Sequence, residues 1–260
     1  MKKLLLACAL LALPTLSSYA ADNPWVGTWK LDIDKSHFTN DTFTYTQAAN
    51  GLMHYSDGST TNFDFGIDGK EYKTVYGRSV IWTAAGDNEW NTVIMFNGNV
   101  YAKVHRQLSP DGKTYTITME RTRPDGSAYS EEDVYVRETG TTGLVGKWRS
   151  TKVTMSVPGT YVISSPAPGV LRMEYPEYKS SVEGKTDGTD NPYTGPTVPA
   201  GMTISFVMLS PSKLSYTYKF DGKPRVYGTQ TLSADGKTLT DASWSPGKES
   251  ERSTGIYIKQ

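Results

Sequence analysis

Arg106 is the residue in this 260-residue chain whose type and position most demand a chemical partner. It alternates in phase with Ala102, Val104 and Leu108, which places it on the apolar face of a strand. A cation on an inward face needs a counter-charge or a polar ligand. Arg121 follows the phase of Tyr115, Ile117 and Met119, so it is expected to join Arg106. Gln230 stands 124 residues after Arg106, in phase with Val226 and Leu232. One polar position therefore recurs inside each of two similar stretches of chain. Tyr76 and Trp82 lie in an aromatic-rich segment, Tyr72 to Trp90, which suits the mouth of a cavity for an apolar or aromatic molecule. Arg106, Arg121, Tyr76, Trp82 and Gln230 are the candidate ligand-binding residues. The plainer alternatives are an internal ion pair or a rim position for the arginines and core packing for the aromatics.

Other chemistries find little support. His37, His54 and His105 share no metal-ligand spacing. The one cysteine, Cys8, lies in the leader described below, so no thiol or disulfide chemistry is expected of the remaining chain. No G-x-S-x-G elbow, phosphate loop or dinucleotide fingerprint occurs. Asp32 and Asp34 alternate outward and read as solvated. Glu131-Glu132-Asp133 reads as a charged guard against edge pairing. No catalytic residue, metal or cofactor is assigned, and an enzyme is the less favoured reading.

The elements that hold these residues have a period of two. Trp29, Leu31 and Ile33 alternate with charged residues, and Met202, Ile204, Phe206 and Met208 line one face of a later segment. Asn97-Gly98, Asp111-Gly112, Asp125-Gly126, Asp221-Gly222 and Asp235-Gly236 are hairpin signals, because Asn or Asp before Gly tolerates positive φ. No long helical period appears. The fold class is all-β.

The chain repeats itself. Val26-Gly27-Thr28-Trp29-Lys30 returns as Val145-Gly146-Lys147-Trp148-Arg149, an offset of 119. Asp68-Gly69 returns at Asp187-Gly188, again 119. The hairpin beginning Leu108-Ser109-Pro110-Asp111-Gly112 returns at Leu232, an offset of 124, and Val134-Tyr135-Val136-Arg137 returns at Ile256, an offset of 122. Four landmarks in one order define a tandem duplication, with units 22–140 and 141–260. The second unit has gained residues between Gly188 and Leu232, most simply around Gly195 to Gly201. Each unit has strands enough for a small barrel, and one continuous barrel shared by both halves is the competing geometry.

Lys2 and Lys3, the apolar run Leu4 to Leu13, and Ser18 and Ala20 form a secretory leader, residues 1–20, with cleavage expected after Ala20. The periplasm or the medium is the expected destination. Without Lys2 and Lys3, 25 basic residues face 27 acidic ones. Nothing in that balance points to nucleic acid, and no apolar run suggests membrane insertion. The sequence leaves oligomeric state open.

Asn23-Pro24-Trp25-Val26-Gly27-Thr28-Trp29-Lys30-Leu31-Asp32, followed by Lys35-Ser36-His37-Phe38, resembles the opening of small secreted bacterial lipocalin-like proteins of the calycin type. Asp68-Gly69-Lys70-Glu71-Tyr72 and Asp187 to Gly195 resemble the family's mid-domain motif, and Ser109 and Ser233 begin its late S-x-D-G-K-T. The second unit lacks the K-S-x-F. The resemblance implies two tandem lipocalin-like antiparallel barrels, eight-stranded in lipocalins at large, that hold a small hydrophobic or aromatic ligand. It also implies that Trp29 and Trp148 plug the closed ends, with Arg137 or Arg121 on the first ring and Lys259 on the second. Two other functions are weighed: filled structural barrels that contact the envelope, and an active site in a cleft between the barrels.

Overall fold

The structure is a computed structural model that describes residues 23–260. The expected leader and Cys8 lie outside the described residues. Twenty strands and three single turns of 3-10 helix make up the described chain. The first repeat contributes β1 (Gly27–Leu31), β2 (Thr42–Gln47), β3 (Met53–Ser56), β4 (Asn62–Phe65), β5 (Glu71–Lys73), β6 (Arg78–Gly86), β7 (Glu89–Phe96), β8 (Asn99–Leu108), β9 (Thr114–Thr122) and β10 (Ala128–Thr139). The second contributes β11 (Gly146–Met155), β12 (Thr160–Ala167), β13 (Val170–Tyr175), β14 (Ser180–Lys185), β15 (Asp187–Thr194), β16 (Met202–Ser210), β17 (Lys213–Phe220), β18 (Lys223–Leu232), β19 (Thr238–Trp244) and β20 (Ser253–Lys259). Among the described residues no helix is long and apolar enough to cross a membrane.

These strands form two antiparallel ten-stranded sheets, one a closed barrel and one nearly closed. Two barrels are therefore present, each with ten strands rather than the eight that the lipocalin resemblance implies. The two-residue turns at Asn97-Gly98 and Asp221-Gly222 have positive φ at both positions, which matches the twist of the strands they join.

The barrels do not coincide with the repeats. β1 lies between β12 and β20, with Trp29 opposite Tyr161 on one side and Lys259 on the other. β11 lies between β2 and β10, with Trp148 opposite Phe43 and Arg137. Each repeat thus donates its first strand to the other's barrel. The boundary at 140/141 divides the repeats, but it does not divide the sheets.

Two crossings carry the exchange. In the first, Asp32 caps the turn Ile33–Lys35 and Ser36 Oγ donates to the Asp32 carbonyl (2.6 Å). Ile256 N donates to Ser36 Oγ, and His37 bridges Thr254. The K-S-x-F segment is therefore the crossing from one barrel to the next. The second crossing is the short stretch from Ser156 to Gly159. There the Leu31 amide donates to the Gly159 carbonyl (2.9 Å).

Packing follows the exchange. Trp25 and Trp29 belong to a core made with Ile163, Met173, Phe206 and Leu214 of the second repeat. Leu144 and Trp148 belong to the core of Tyr45, Phe65, Trp82 and Tyr115. Three of the five extra residues of the second repeat lie in the turn after Thr194, which has seven residues against four between β5 and β6, and the other two lengthen β15. There β15 is long enough to pair with β14, at Val182 and Tyr193, which completes that barrel. Its counterpart β5 has three residues, and no β4–β5 ladder forms.

The closed ends use the expected chemistry with exchanged partners. Arg137 lies over Trp148 (4.1 Å), and Lys259 lies over Trp29 (5.2 Å). Each tryptophan meets the cation of the other repeat, because its strand has crossed. Gly146 has φ +142°, and a side chain there would collide with the Thr139 carbonyl. Arg137 also donates from Nε, Nη1 and Nη2 to the carbonyls of Gly112, Val145 and Gly143, each at 2.6 Å. Arg137→Met retains the aliphatic stem but orphans those carbonyls. It is expected to cost about 2–4 kcal/mol, read as a lower urea midpoint at unchanged slope. An unchanged midpoint would show that the plug stands without its cation.

Candidate functional site

Inside the N-terminal barrel, Arg106 is held on Trp82, 4.4 Å from the ring. Its Nε donates to Thr92 Oγ1 (3.0 Å) and its Nη1 to the Tyr115 hydroxyl (3.5 Å). Trp82 is itself buried and stacks on Phe65 (4.5 Å), so it serves the core and presents no face to solvent. Asp133 enters the same interior, half-buried, with Oδ1 buried and unpartnered. Burial pushes its carboxyl up to about 7, Glu131 and Asp41 add to the rise, and Arg106 opposes it. The acidic run 131–133 is therefore more than a solvated guard.

The matching position of the C-terminal barrel has the opposite sign. Gln230 is buried and its Nε2 donates to Asp241 Oδ2 (2.9 Å). Tyr216 and Tyr161 also donate to Asp241 (2.7 and 3.3 Å). Burial raises the Asp241 carboxyl above its ordinary range, against these hydrogen bonds. Asp241 follows the phase of Leu239, so the same periodicity that found Arg106 also marks this residue, which the sequence reading passed over.

The two barrels meet at their open ends. The loop between β19 and β20 covers the N-terminal mouth. There Lys248 Nζ donates to the carbonyls of Thr42 and Asp57, each at 2.9 Å, and Ser59 Oγ donates to the Pro246 carbonyl (2.8 Å). The β9–β10 hairpin reaches over the C-terminal mouth in the same manner. Arg121 stands four residues beyond the Arg106 partner Ile117 and does not join Arg106. Instead its Nη2 donates to the Tyr178 hydroxyl (2.8 Å) and its Nη1 to that of Tyr101. Arg123 lies over Tyr129 (4.4 Å), is buried, and donates to the Val157 carbonyl (3.3 Å).

Two hollows join at this place. A groove of about 730 Å3 runs past Val100, Ala102, Arg121, Tyr129 and Val157. Val100 is 58% and Val157 41% exposed, an apolar ledge beside a guanidinium. A smaller cavity of about 280 Å3 lies between the barrels, with Arg121 and Arg123 on one wall and Tyr161, Tyr175 and Tyr257 on the other. Arg121, Tyr129 and Val157 border both hollows. The crossings build the cavity, because Phe38 and Gly159 line it too.

Neither guanidinium forms an ion pair among the described residues, and Nε of each is buried without an acceptor. Glu131, on the same wall, accepts from the Tyr129 hydroxyl. Burial and that carboxylate hold the Tyr129 phenol protonated, well above its ordinary range. The arrangement sets two guanidiniums without ion-pair partners beside apolar surface, with Glu120 and Glu131 also on the walls, and the guanidiniums suit an anionic group carried on an apolar body.

Of the sequence candidates, only Arg121 lines this cleft. Tyr76 packs edge-on against Phe220 of the other barrel (5.1 Å), under Arg225 (5.4 Å), as a barrel–barrel contact. Arg106, Trp82 and Gln230 lie inside the barrels. Arg123 and Tyr178 escaped the sequence reading because their meeting depends on how the barrels face each other. Among the described residues no group of His, Cys, Asp or Glu is arranged to hold a metal ion. No protein-family model matches the chain, and no curated protein or solved structure matches it significantly.

Proposed function

We propose that this is an exported, lipocalin-like binding protein that takes a small amphipathic molecule in the cleft between its barrels. The molecule's apolar body lies along Val100 and Val157, and its anionic group meets Arg121 and Arg123. The observation that carries this reading is the pair of guanidiniums, Arg121 half-buried and Arg123 buried, that stand free of carboxylate partners at the junction of the two hollows. The leader at residues 1–20 and the lipocalin-like opening support export and family. The packed aromatic interior of the N-terminal barrel moves the ligand from the barrel centre to the cleft.

8-Anilinonaphthalene-1-sulfonate, an apolar body with one anionic group, tests the reading. Its fluorescence is expected to rise with the folded protein, and Arg121→Gln with Arg123→Gln to weaken binding at least tenfold while the far-ultraviolet dichroism stays unchanged. Equal binding by the double variant, or no binding by the parent protein, would favour the second reading. That reading, a filled structural barrel pair, is supported by the fully buried Trp29, Trp82 and Trp148.

A further inference from the structure

The two repeats treat the same interior position in opposite ways. In the N-terminal barrel, Tyr45, Tyr55 and Tyr115 surround a built-in cation, Arg106. In the C-terminal barrel tyrosines again line the interior, but at other positions, since Tyr45, Tyr55 and Tyr115 correspond in register to Ile163, Met173 and Leu239; the equivalent of Arg106 is the neutral Gln230, and the equivalent of Ile117 is the carboxyl of Asp241. Tyr161 packs on Tyr257 (4.3 Å between centroids) and on Tyr175 (5.7 Å), and these three rings form the cavity wall that faces Arg121 and Arg123. Behind them Asp241 pairs with no Lys or Arg among the described residues. Gln230 is 3% exposed, and its Oε1, a second acceptor, is buried without a partner. The hydroxyl of Tyr161 donates to the carboxylate, which makes its ring face more electron-rich. A cation on such faces is held by the ring quadrupoles and by the charge behind them.

From this polarity we infer that the ligand of the cleft is a zwitterion. Its anionic group meets Arg121 and Arg123, and an organic ammonium group lies on Tyr161, Tyr175 and Tyr257, over Asp241. The inference rests on the proposed binding function and names the chemistry of its ligand. The ammonium supplies to the C-terminal mouth the charge that Arg106 supplies within the N-terminal barrel. A dipolar molecule also satisfies both walls of the cavity at once, whereas a simple anion leaves the tyrosine wall and Asp241 without a cation.

Two molecules of one shape separate the claims. Trimethylglycine and 3,3-dimethylbutanoate differ in one atom, a quaternary nitrogen in place of a carbon, and share the carboxylate. In titration calorimetry of the full chain, trimethylglycine is expected to bind at least tenfold more tightly than 3,3-dimethylbutanoate. Asp241→Asn keeps one of the two acceptor oxygens and removes the charge, and it is expected to bring the ratio close to one. Tyr257→Leu, at a position that packs on the core rather than filling it, is expected to lower the ratio independently. Equal affinities in the parent protein, or a ratio unmoved by both variants, overturns the zwitterion. If 3,3-dimethylbutanoate binds equally well and Arg121→Gln abolishes it, the anion-binding function stands and only the ammonium falls. If neither compound binds, the inference falls too, and the sulfonate probe decides the function on its own.

Discussion

Trp29→Ala is expected to loosen the C-terminal barrel, although the residue belongs to the N-terminal repeat. Trp29 is fully buried in the core built on Ile163, Met173, Phe206 and Leu214, and its indole Nε1 donates to the Trp25 carbonyl (3.0 Å). Truncating a buried tryptophan to alanine costs about 3–5 kcal/mol, through lost burial and the cavity left behind. That cost falls where the side chain packs. Amide hydrogen exchange should therefore accelerate across β12 to β20 and leave β6 to β9 protected. Trp148→Ala should give the reverse pattern, with exchange rising in β2 to β10. Faster exchange confined to the repeat that carries each substitution would refute the strand exchange, because it would place each tryptophan in its own repeat's core.

Asp133 governs the largest expected effect of pH. Its carboxyl titrates near 7 in the folded barrel, against 3.8 for an ordinary aspartate side chain. The folded state thus holds a proton that the unfolded chain releases between about pH 4 and 7. Over that window stability falls as pH rises, and the loss is complete above pH 7. Three pH units correspond to about 4 kcal/mol, and partial exposure of the group reduces this to on the order of 3 kcal/mol. Asp41 and Asp241 shift in the same direction and carry the same sign. The exposed turn carboxylates, such as Asp111 and Asp235, are lowered and carry the opposite sign, so the wild-type profile alone mixes the two. The difference between Asp133→Asn and wild type isolates the group. It is expected to be near zero at pH 4 and to grow to about 3 kcal/mol in favour of the variant by pH 8, measured by urea unfolding across the range. A flat difference would mean that Asp133 is as hydrated folded as unfolded.

The all-β class, the hairpins and the duplication were legible because each depends on local rules. Alternation sets the faces, and Asn-Gly or Asp-Gly sets the turns. The exchange of β1 and β11 was not legible. A first strand has the same alternation whichever barrel receives it, and the crossing from Asp32 to Asp41 carries no signal of direction. Pairing Lys259 and Arg137 with the tryptophans of their own repeats is right for the chemistry and wrong for the partner. At the site, phase alone puts Arg121 inside a barrel. Its strand instead runs past the barrel end to Tyr178, 57 residues away in sequence and in the other repeat. Trp82 illustrates a different limit: composition marks it as aromatic, but only packing against Phe65 and Arg106 shows that it is enclosed.

The reciprocal placement of β1 and β11 has an evolutionary reading. Joining the two chains of a strand-swapped homodimer end to end, with the link between β10 and β11, would produce this connectivity. The link makes assembly unimolecular, so completion of both barrels no longer depends on protein concentration. It also releases the two halves from symmetry. A homodimer must present the same residues at both mouths, whereas this chain keeps an arginine at one centre and a glutamine beside an aspartate at the other. Covalent fusion is thus what permits a single cleft to have two unlike walls.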